Sequence, residues 1–446
     1  MGAQATSSDE KGKGGFFAEF LHSEVSGSLV LMACTVLALA WANSPWSESY
    51  FDLAYTYVGF SFGEATFKLS FQHWINDGLM ALFFFVVGLE VKRELVVGEL
   101  SSFRKAALPV SAAIGGMVVP ALCYVLLNVG GEGISGWGVP MATDIAFALG
   151  ILALLGSRAP LSMKVFLTAL AIADDLGAIL VIALFYTESI SLGALGTAAA
   201  FLAAIWIAGR QGVRAVWVYV LLALGAWAAV LASGIHATIA GIAVAMFVPV
   251  RASLSPEAFF DRTRKRLDQL EAGELTEDSM IHSQHEMEAL DDLYLAVEDM
   301  RPPGLALEHL LHPVQAFFVL PLFALFNAGV KLDGEVIREA ANPISLGIVL
   351  GLVVGKPLGA LLFSWLAVKS GQAALPDGVR WPHIIALGSL AGVGFTMSIF
   401  ISGLAFSDVM HVSWSKVAIL GASLLSGLTG YLLLRATLPK AGEAPA

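Results

Sequence analysis

The sequence predicts an all-α polytopic membrane protein with twelve transmembrane helices. Of its 446 residues, 57 % are hydrophobic and only 14 % are charged, and the apolar residues fall into long runs. About 20 consecutive apolar residues are enough for a helix to cross a bilayer, whereas soluble proteins carry roughly one charged residue in four. The net charge of −11 gives no support to nucleic-acid binding.

Twelve apolar runs have the length of a membrane span. They cover residues 26–43, 72–91, 106–128, 140–156, 161–186, 191–209, 215–232, 234–250, 310–328, 344–368, 384–404 and 416–435. With the N-terminus inside and the longest loop set aside, 14 Lys and Arg residues fall in cytoplasmic segments and 4 in outer segments. The outer four are Lys68, Lys331, Arg338 and Lys416. This asymmetry predicts that both termini are cytoplasmic.

These spans divide the chain into five segments. The predicted segments are a cytoplasmic tail at 1–25, helices 1–8 at 26–250, a cytoplasmic insert at 251–309, helices 9–12 at 310–436 and a second cytoplasmic tail at 437–446. Between Arg251 and Met300 there are 13 acidic and 5 basic residues. Ser255-Pro256 is a helix start signal, so we expect one or two charged cytoplasmic helices in the insert.

A small β-hairpin is predicted on the outer face between the first two spans. Residues 57–71 read YVGFSFGEATFKLSF, in which alternating apolar residues flank Gly63-Glu64.

The fifth span carries two adjacent carboxylates at its centre, Asp174 and Asp175. Each ionised carboxylate at that depth costs at least about 2.5–3.5 kcal/mol. Neighbouring residues point about 100° apart on a helix, so one partner cannot cover both. A satisfied buried pair is therefore the weaker interpretation, and an ion or proton pathway is the stronger one.

Two other spans are interrupted by polar or flexible residues. Thr143 and Asp144 lie in the fourth span, and Gly392, Gly394 and Thr396 lie in the eleventh. Unwound backbone at membrane depth is tolerated only where protein buries it or where it lines a cavity. The breaks fall at matching places in spans 3–5 and 10–12, which predicts an inverted repeat with its binding site at the breaks.

Broken helices present positive N-terminal and negative C-terminal ends inside the membrane. Asp144 and Lys356 are the residues available to offset them. A salt bridge from Lys356 to Asp174 would lower the cost of burying both charges. A purely structural role for Lys356 and a mixed structural and proton-carrying role both remain open.

Further titratable residues lie near the predicted membrane surfaces. Asp77 follows Asn76 near the outer end of the second span and predicts a polar outer vestibule, while Glu90 and Glu94 are one turn apart at its inner end. A solvated helix end explains the two glutamates equally well. His236, Glu308 and His309 stand at helix ends, where they would sense pH or simply pack.

The chain resembles the bacterial NhaA-type sodium/proton antiporter family over nearly its whole length. The matching stretches are INDGLMALFFFVVGLEVKREL (75–95), ATDIAFALGILALLGSR (142–158), FLTALAIADDLGAILVIALFY (166–186), SGIHATIAGI (233–242), LEHLLHP (307–313), LPLFALFNAGV (320–330), GKPLG (355–359) and GFTMSIFI (394–401). Their order and spacing together are highly specific.

The resemblance implies twelve spans with crossed, discontinuous helices 4 and 11, and an electrogenic, pH-dependent exchange of cytoplasmic sodium or lithium for external protons across the bacterial inner membrane. It implies the following roles: Asp175, Asp174, Thr143 and Asp144 at the ion site, Lys356 paired with Asp174, Asp77 nearby, and Glu90, Glu94, His236, Glu308 and His309 on a pH-responsive cytoplasmic side. It also implies a homodimer formed through residues 57–71. No cofactor and no enzymatic activity are expected.

The sequence departs from the family pattern in two places. The insert at 251–300 is much longer than the usual loop between spans 8 and 9, and Ala306 stands where an arginine is common ahead of the LEH motif. Both changes adjoin Glu308 and His309, so we expect pH activation to be set differently here.

Several other functions compete with this hypothesis. An organic-anion/sodium symporter on a similar crossed-helix architecture would need a roomier polar cavity, and a channel would pass ions without proton coupling. An intramembrane aspartyl protease needs carboxylates on two facing helices, whereas Asp174 and Asp175 are neighbours on one. A prenyl transferase needs DDxxD motifs, which Asp174-Asp175-Leu176-Gly177-Ala178 does not supply.

Overall fold

The structure, a computed structural model, describes residues 24–62, 65–187, 190–211, 213, 216–252, 254–272, 284–339 and 341–439. Nearly all of both predicted tails (1–25 and 437–446) lies outside the described residues. So do Gly63 and Glu64 of the predicted hairpin turn.

The described part is largely helical. The first half contains α1 (Glu24–Ala42), α2 (Ser47–Tyr55), β1 (Tyr57–Phe62), β2 (Ala65–Ser70), α3 (Phe71–Val96), α4 (Phe103–Asn128), α5 (Ile145–Ala153), α6 (Leu161–Phe185), α7 (Leu192–Arg210), α8 (Val216–Ala232) and α9 (Thr238–Phe247). Stretches of 3₁₀-helix lie at Glu99–Ser101, Glu132–Met141 and Gly156–Arg158.

The second half begins with two helices of the insert and continues with further apolar helices. These are α10 (Pro256–Ala272), α11 (Gln284–Met300), α12 (Pro303–Asn327), α13 (Gly334–Arg338), α14 (Pro343–Lys369), α15 (Trp381–Ala391), α16 (Phe395–Ala405) and α17 (Val409–Thr437).

Eight helices of the described residues are long and apolar enough to cross a membrane: α1, α3, α4, α6, α7, α12, α14 and α17. Two further pairs of helices are long and apolar enough to cross a membrane when the two helices of each pair are taken together, and each pair is bent at a short break. The 3₁₀ stretch Glu132–Met141 bends by 42° into α5, and α15 bends by 51° into α16. The protein is therefore a polytopic membrane protein with eight to ten spans by this measure. The predicted seventh and eighth spans are the shorter helices α8 and α9.

Two helices begin before the apolar runs that predicted their spans. Helix α12 begins at Pro303, ahead of the predicted span at 310–328, and helix α17 begins at Val409, ahead of the predicted span at 416–435. Helix α17 starts at a capping residue rather than at the first residue of the apolar run. Asp408 accepts hydrogen bonds from the backbone N–H groups of Met410 and His411 at 2.8 and 3.0 Å.

The outer hairpin is present. Strands β1 and β2 pair antiparallel, from Tyr57 opposite Ser70 to Phe62 opposite Ala65. The indole of Trp74 in α3 donates to the carbonyl of Val58 at 2.9 Å, which attaches the hairpin to the second span.

The described part of the insert is a pair of contacting helices, α10 and α11, joined by ion pairs. Arg262 lies 3.4 Å from Asp292 and 3.6 Å from Asp299, and Arg266 also contacts Asp292. The hydrogen bond from Arg266, with a smaller contribution from Arg262, lowers the pKa of the exposed Asp292 carboxyl.

Helix α6 belongs to both major apolar clusters of the core. Its first half contributes Met163, Phe166 and Leu170 to one cluster, and its second half contributes Ile172 and Ile182 to the other. The two adjacent aspartates lie where the helix passes from one cluster to the other. The fold thus buries them at the junction of the two clusters.

Candidate functional site

The two helix breaks contact each other directly. The backbone N–H of Asp144 donates to the carbonyl of Val393 at 2.7 Å, and the Thr143 hydroxyl donates to the carbonyl of Ala391 at 2.8 Å. The Ser398 hydroxyl donates to the Val139 carbonyl at 2.8 Å. Each break thus satisfies backbone groups that the other leaves without helical partners, as unwound backbone inside a membrane requires.

The Asp144 carboxylate joins the N-termini of the two half-helices that follow the breaks. Its Oδ1 accepts from the backbone N–H of Phe147 in α5 at 3.1 Å, and its Oδ2 accepts from the backbone N–H of Thr396 in α16 at 3.1 Å. The Thr396 hydroxyl also donates to Oδ2. An anion at this place offsets the partial positive charge of two helix ends at once.

Gly394 permits the close approach of the two breaks. A Cβ atom there would lie 3.1 Å from the Ala142 carbonyl oxygen and 3.1 Å from Leu352 Cδ2. A Cβ at Gly392 would lie 2.9 Å from the Ser426 hydroxyl oxygen. Neither glycine has a positive φ, so both are required for space rather than for backbone conformation.

The ion pair predicted between Lys356 and Asp174 is present in the structure. Lys356 Nζ lies 2.7 Å from Asp174 Oδ2, and both side chains are fully buried. The ammonium group also donates to the carbonyl of Met141, the last residue of the 3₁₀ stretch before the break. Lys356 therefore offsets both a carboxylate and a negative helix end.

Asp175 points to a different environment from Asp174. It is 2 % exposed and lines a cavity of about 10 Å³ together with Thr143, Asp144 and Thr396. Phe83 of α3 and Leu320 of α12 also line this cavity. Its volume suits one water molecule or one small ion.

One carboxylate oxygen of each of the two adjacent aspartates is unused. Within the described ranges, Oδ1 of Asp174 and Oδ1 of Asp175 have no hydrogen-bond partner. Hard cations such as alkali ions bind carboxylate, hydroxyl and carbonyl oxygens. No group of three His, Cys, Asp or Glu side chains among the described residues has the arrangement of a transition-metal site.

Asp77 lies in the N-terminal part of α3, within a π-helical stretch at Trp74–Leu79. Its carbonyl accepts from the Trp227 indole at 2.9 Å, and its carboxyl interacts electrostatically with His236 and His73. The structure therefore places His236 beside Asp77 and corrects its assignment to the cytoplasmic group. The reason is that α9, which His236 precedes, runs parallel to α3: Gly241 contacts Ala81, whereas the far end of α9 contacts Lys92.

Of the other residues predicted to lie on the cytoplasmic side, Glu94 and Glu308 come together around Arg93. Arg93 Nε lies 3.1 Å from Glu308 Oε2, and Arg93 Nη1 lies 3.0 Å from Glu94 Oε1. Both glutamates are buried, whereas His309 is exposed. Glu90 lies one turn further into α3, and its charge interacts with those of Glu94, Glu308 and Asp175.

Sequence reasoning missed Arg93 as the link in this cluster. It was visible only as one of two basic residues beside Glu90 and Glu94, and nothing in the local sequence indicates that it pairs with Glu308 on another helix. The carbonyl of Met141 was missed as well, because a backbone acceptor has no sequence signature.

Buried carboxylates and a buried lysine at the meeting point of two broken membrane helices define a class: polytopic proteins that carry ions across membranes. The comparisons with known proteins identify the family within that class. The family described as Na+/H+ antiporter 1 matches residues 18–434. The chain belongs to this family.

Its relatives have consistent names and lengths. The Na(+)/H(+) antiporter NhaA of Oleidesulfovibrio alaskensis is 50 % identical over 422 residues, covering 95 % of this chain and 94 % of its own. The Na(+)/H(+) antiporter NhaA 2 of Syntrophotalea carbinolica is 46 % identical over 428 residues, covering 95 % and 97 %. The Wolinella succinogenes NhaA is 43 % identical over 426 residues, covering 95 % and 94 %. The protein is a sodium/proton antiporter, a membrane transporter rather than an enzyme, and its substrates are sodium ions and protons.

Proposed function

We propose that this antiporter exports cytoplasmic sodium or lithium in electrogenic exchange for external protons, and that it does so by alternating access at a single site. The observation that carries the proposal is the different state of two neighbouring carboxylates. Asp174 is paired with Lys356, whereas Asp175 has a free oxygen beside a cavity of ionic size.

Competition at Asp175 couples the two substrates. An ionised carboxylate inside the membrane is costly without a compensating charge, so Asp175 binds either a proton or a cation. Sodium binding favours the ionised form, because the cation replaces the proton as the compensating charge. Occupation by either substrate permits the two groups of helices to rock, and the empty charged site disfavours that movement.

Electrogenic exchange follows if more than one proton leaves for each sodium ion bound. Asp175 and Asp144 line the cavity, and the neighbour of Asp175 in the chain, Asp174, is paired with Lys356, so the binding of one sodium ion affects several protonation states at once. The test uses proteoliposomes that have an acidic interior and sodium in the external solution, with a membrane potential set by potassium diffusion. We expect a potential of one sign to accelerate exchange and a potential of the opposite sign to slow it. Equal rates at both potentials would refute electrogenic exchange.

The pH dependence of transport is assigned to the cytoplasmic end of α3. The Arg93–Glu94–Glu308 cluster links α3 to α12 by ion pairs. Since α12 also lines the cavity through Leu320, a change in these ion pairs reaches the binding site. Glu90 and the exposed His309 complete this group, while Asp77 and His236 belong to the outer side.

The membrane arrangement that fits this mechanism has twelve spans, with α8 and α9 as the seventh and eighth, in an inverted repeat with crossed helices 4 and 11. Both termini are cytoplasmic in a bacterial inner membrane, and no cofactor takes part. The proposed role in the cell is pH and sodium homeostasis.

A homodimer through residues 57–71 is proposed because this hairpin projects apolar side chains that the rest of the chain does not cover. Tyr57 is 72 % exposed and Val58 is 45 % exposed. In a background without Cys34 and Cys123, we expect Val58→Cys to cross-link into dimers in native membranes. Val409→Cys, at another exposed outer position, is the control and should stay monomeric. Equal cross-linking of both would contradict this interface.

An organic-anion symporter is not favoured by any feature of the site. Pockets for organic ligands are usually hundreds of cubic ångströms, whereas the cavity at Asp175 is about 10 Å³. We therefore expect transport to depend on sodium or lithium and not on organic anions.

A further inference from the structure

Three stretches of π-helix interrupt long helices in the described part of the chain: Trp74–Leu79 in α3, Gln315–Val319 in α12 and Gly351–Gly355 in α14. π-Helix accounts for well under 1 % of residues in proteins and collects at functional sites. The first stretch contains Asp77, and the third ends beside Lys356. The second contains Gln315, which the mechanism above does not use.

The side chain of Gln315 is buried and incompletely paired. It is 8 % exposed, and no described residue donates a hydrogen bond to its Oε1. Leaving a buried amide oxygen unpaired is costly, so such groups in native proteins are normally satisfied by a bound water or ion.

Periodicity places Gln315 on the face of α12 that meets α3. It follows Glu308 by seven residues, which is two helical turns or about 10 Å, and Glu308 bonds Arg93 of α3. Helices α3 and α12 run antiparallel, since Asn327 at the other end of α12 donates to Asn76 at 2.8 Å.

This position lies between the cytoplasmic cluster and the ion site. Further along α12 from Gln315 comes Leu320, which lines the cavity containing Asp175. On α3, Glu90 occupies the corresponding place between Glu94 and Phe83, the α3 residue that lines the same cavity. Gln315 and Glu90 are thus polar groups on two facing helices, at a level between the Arg93–Glu308 pair and the cavity at Asp175.

We propose that the amide oxygen of Gln315 is a transient ligand for sodium on its way from the cytoplasmic cluster to Asp175. The inference rests on the proposed function, which places sodium entry at this end. An amide oxygen binds hard cations but does not carry a proton near neutral pH. Gln315 therefore acts on sodium entry and leaves proton binding unchanged.

The test compares Gln315→Met, which keeps the length of the side chain and removes the oxygen, with Phe318→Leu on the same π-helical stretch. Phe318 is 53 % exposed and serves as the control. Sodium-dependent proton flux is measured in everted vesicles and in right-side-out vesicles, together with sodium-induced proton release from purified protein at equilibrium.

For Gln315→Met we expect the KM for sodium at the cytoplasmic face to rise about three- to tenfold, the loss corresponding to one polar contact. A ligand on the route changes entry without changing the final site. The other quantities should therefore stay within twofold of wild type: the maximal rate, the KM for sodium at the opposite face and the sodium concentration at half-saturation in equilibrium binding. The pH profile should be unchanged. Phe318→Leu should match wild type throughout.

Three results would overturn the proposal: an unchanged cytoplasmic KM, an equal rise at both faces, or a parallel shift in equilibrium binding. If Gln315→Met does not reach the membrane, Gln315→Glu decides, because it retains an oxygen and adds charge. That variant should lower the cytoplasmic KM, and an unchanged value would contradict the role. Failure of the proposed function has another signature, the loss of sodium-dependent proton movement in wild type and all variants alike.

Discussion

Lys356 is the residue on which the charge balance of the site depends. Its ammonium group contacts Asp174 and the Met141 carbonyl at full burial. Removing one partner of a buried ion pair leaves the other charge uncompensated, which costs about 3–5 kcal/mol.

We therefore predict that Lys356→Met lowers the free energy of unfolding of the purified protein by about 3–5 kcal/mol. The double variant Lys356→Met with Asp174→Asn should recover most of the loss, because it removes both charges. Thermal unfolding in detergent at constant pH measures the effect. Equal stability of wild type and the single variant would show that the pair contributes little to the fold.

At the residue level, the sequence reveals charges that the membrane makes expensive and little else. Asp174, Asp175 and Lys356 stand out because each interrupts an apolar run. Gln315 does not stand out, because a neutral amide in a span has no such cost and only its unpaired oxygen singles it out. The partner of Arg93 is also invisible, since pairing across 215 residues depends on the packing of α3 against α12.

The two broken elements depend on small residues where they meet. We predict that Gly394→Ala slows exchange about tenfold or more at equal expression, because a Cβ there would overlap the Ser398 hydroxyl and lie 3.1 Å from the Ala142 carbonyl oxygen. The Ser398 hydroxyl, which bonds the Val139 carbonyl of the other break, would have to move, and misplacing a site by about 1 Å can cost about a hundredfold. Gly421→Ala in α17 is the matched control, since a Cβ there meets nothing within 4 Å. Sodium-dependent proton flux in proteoliposomes measures both, and wild-type flux in Gly394→Ala would contradict the packing argument.

The insert contributes an element whose ion pairs do not titrate near neutral pH. Arg266 and Arg262 lower the pKa of Asp292. The pairing therefore stabilises the two insert helices at pH values above the pKa of unfolded Asp, about 3.9. This stabilisation is lost only as the pH falls through the lower pKa that Asp292 has in the folded protein. We predict that Arg266→Gln leaves the pH profile of transport between about pH 6 and 9 unchanged. A shifted midpoint would show that the insert helps to set pH activation.

Element types were predictable because apolar runs and polar interruptions are local properties. Boundaries were less predictable. Helix α12 extends back to Pro303, and α17 extends back to the Asp408 cap, because polar residues continue a helix beyond the apolar part. The lengths of α8 and α9 likewise do not follow from hydropathy alone.

At the scale of the whole molecule, the site lies where two apolar clusters meet, and α6 takes part in both. The sequence predicted the matching breaks in its two halves, but not that His236 lies beside Asp77. That position follows from the parallel packing of α3 and α9, which only the assembled helices show.

Competition between sodium and protons at Asp175 is measured by proton release from purified protein when sodium is added across a pH series. We expect sodium to release protons, the sodium concentration needed for half-maximal release to rise as pH falls, and the release to disappear in Asp175→Asn. Release of wild-type size in Asp175→Asn would contradict a shared site at this carboxylate.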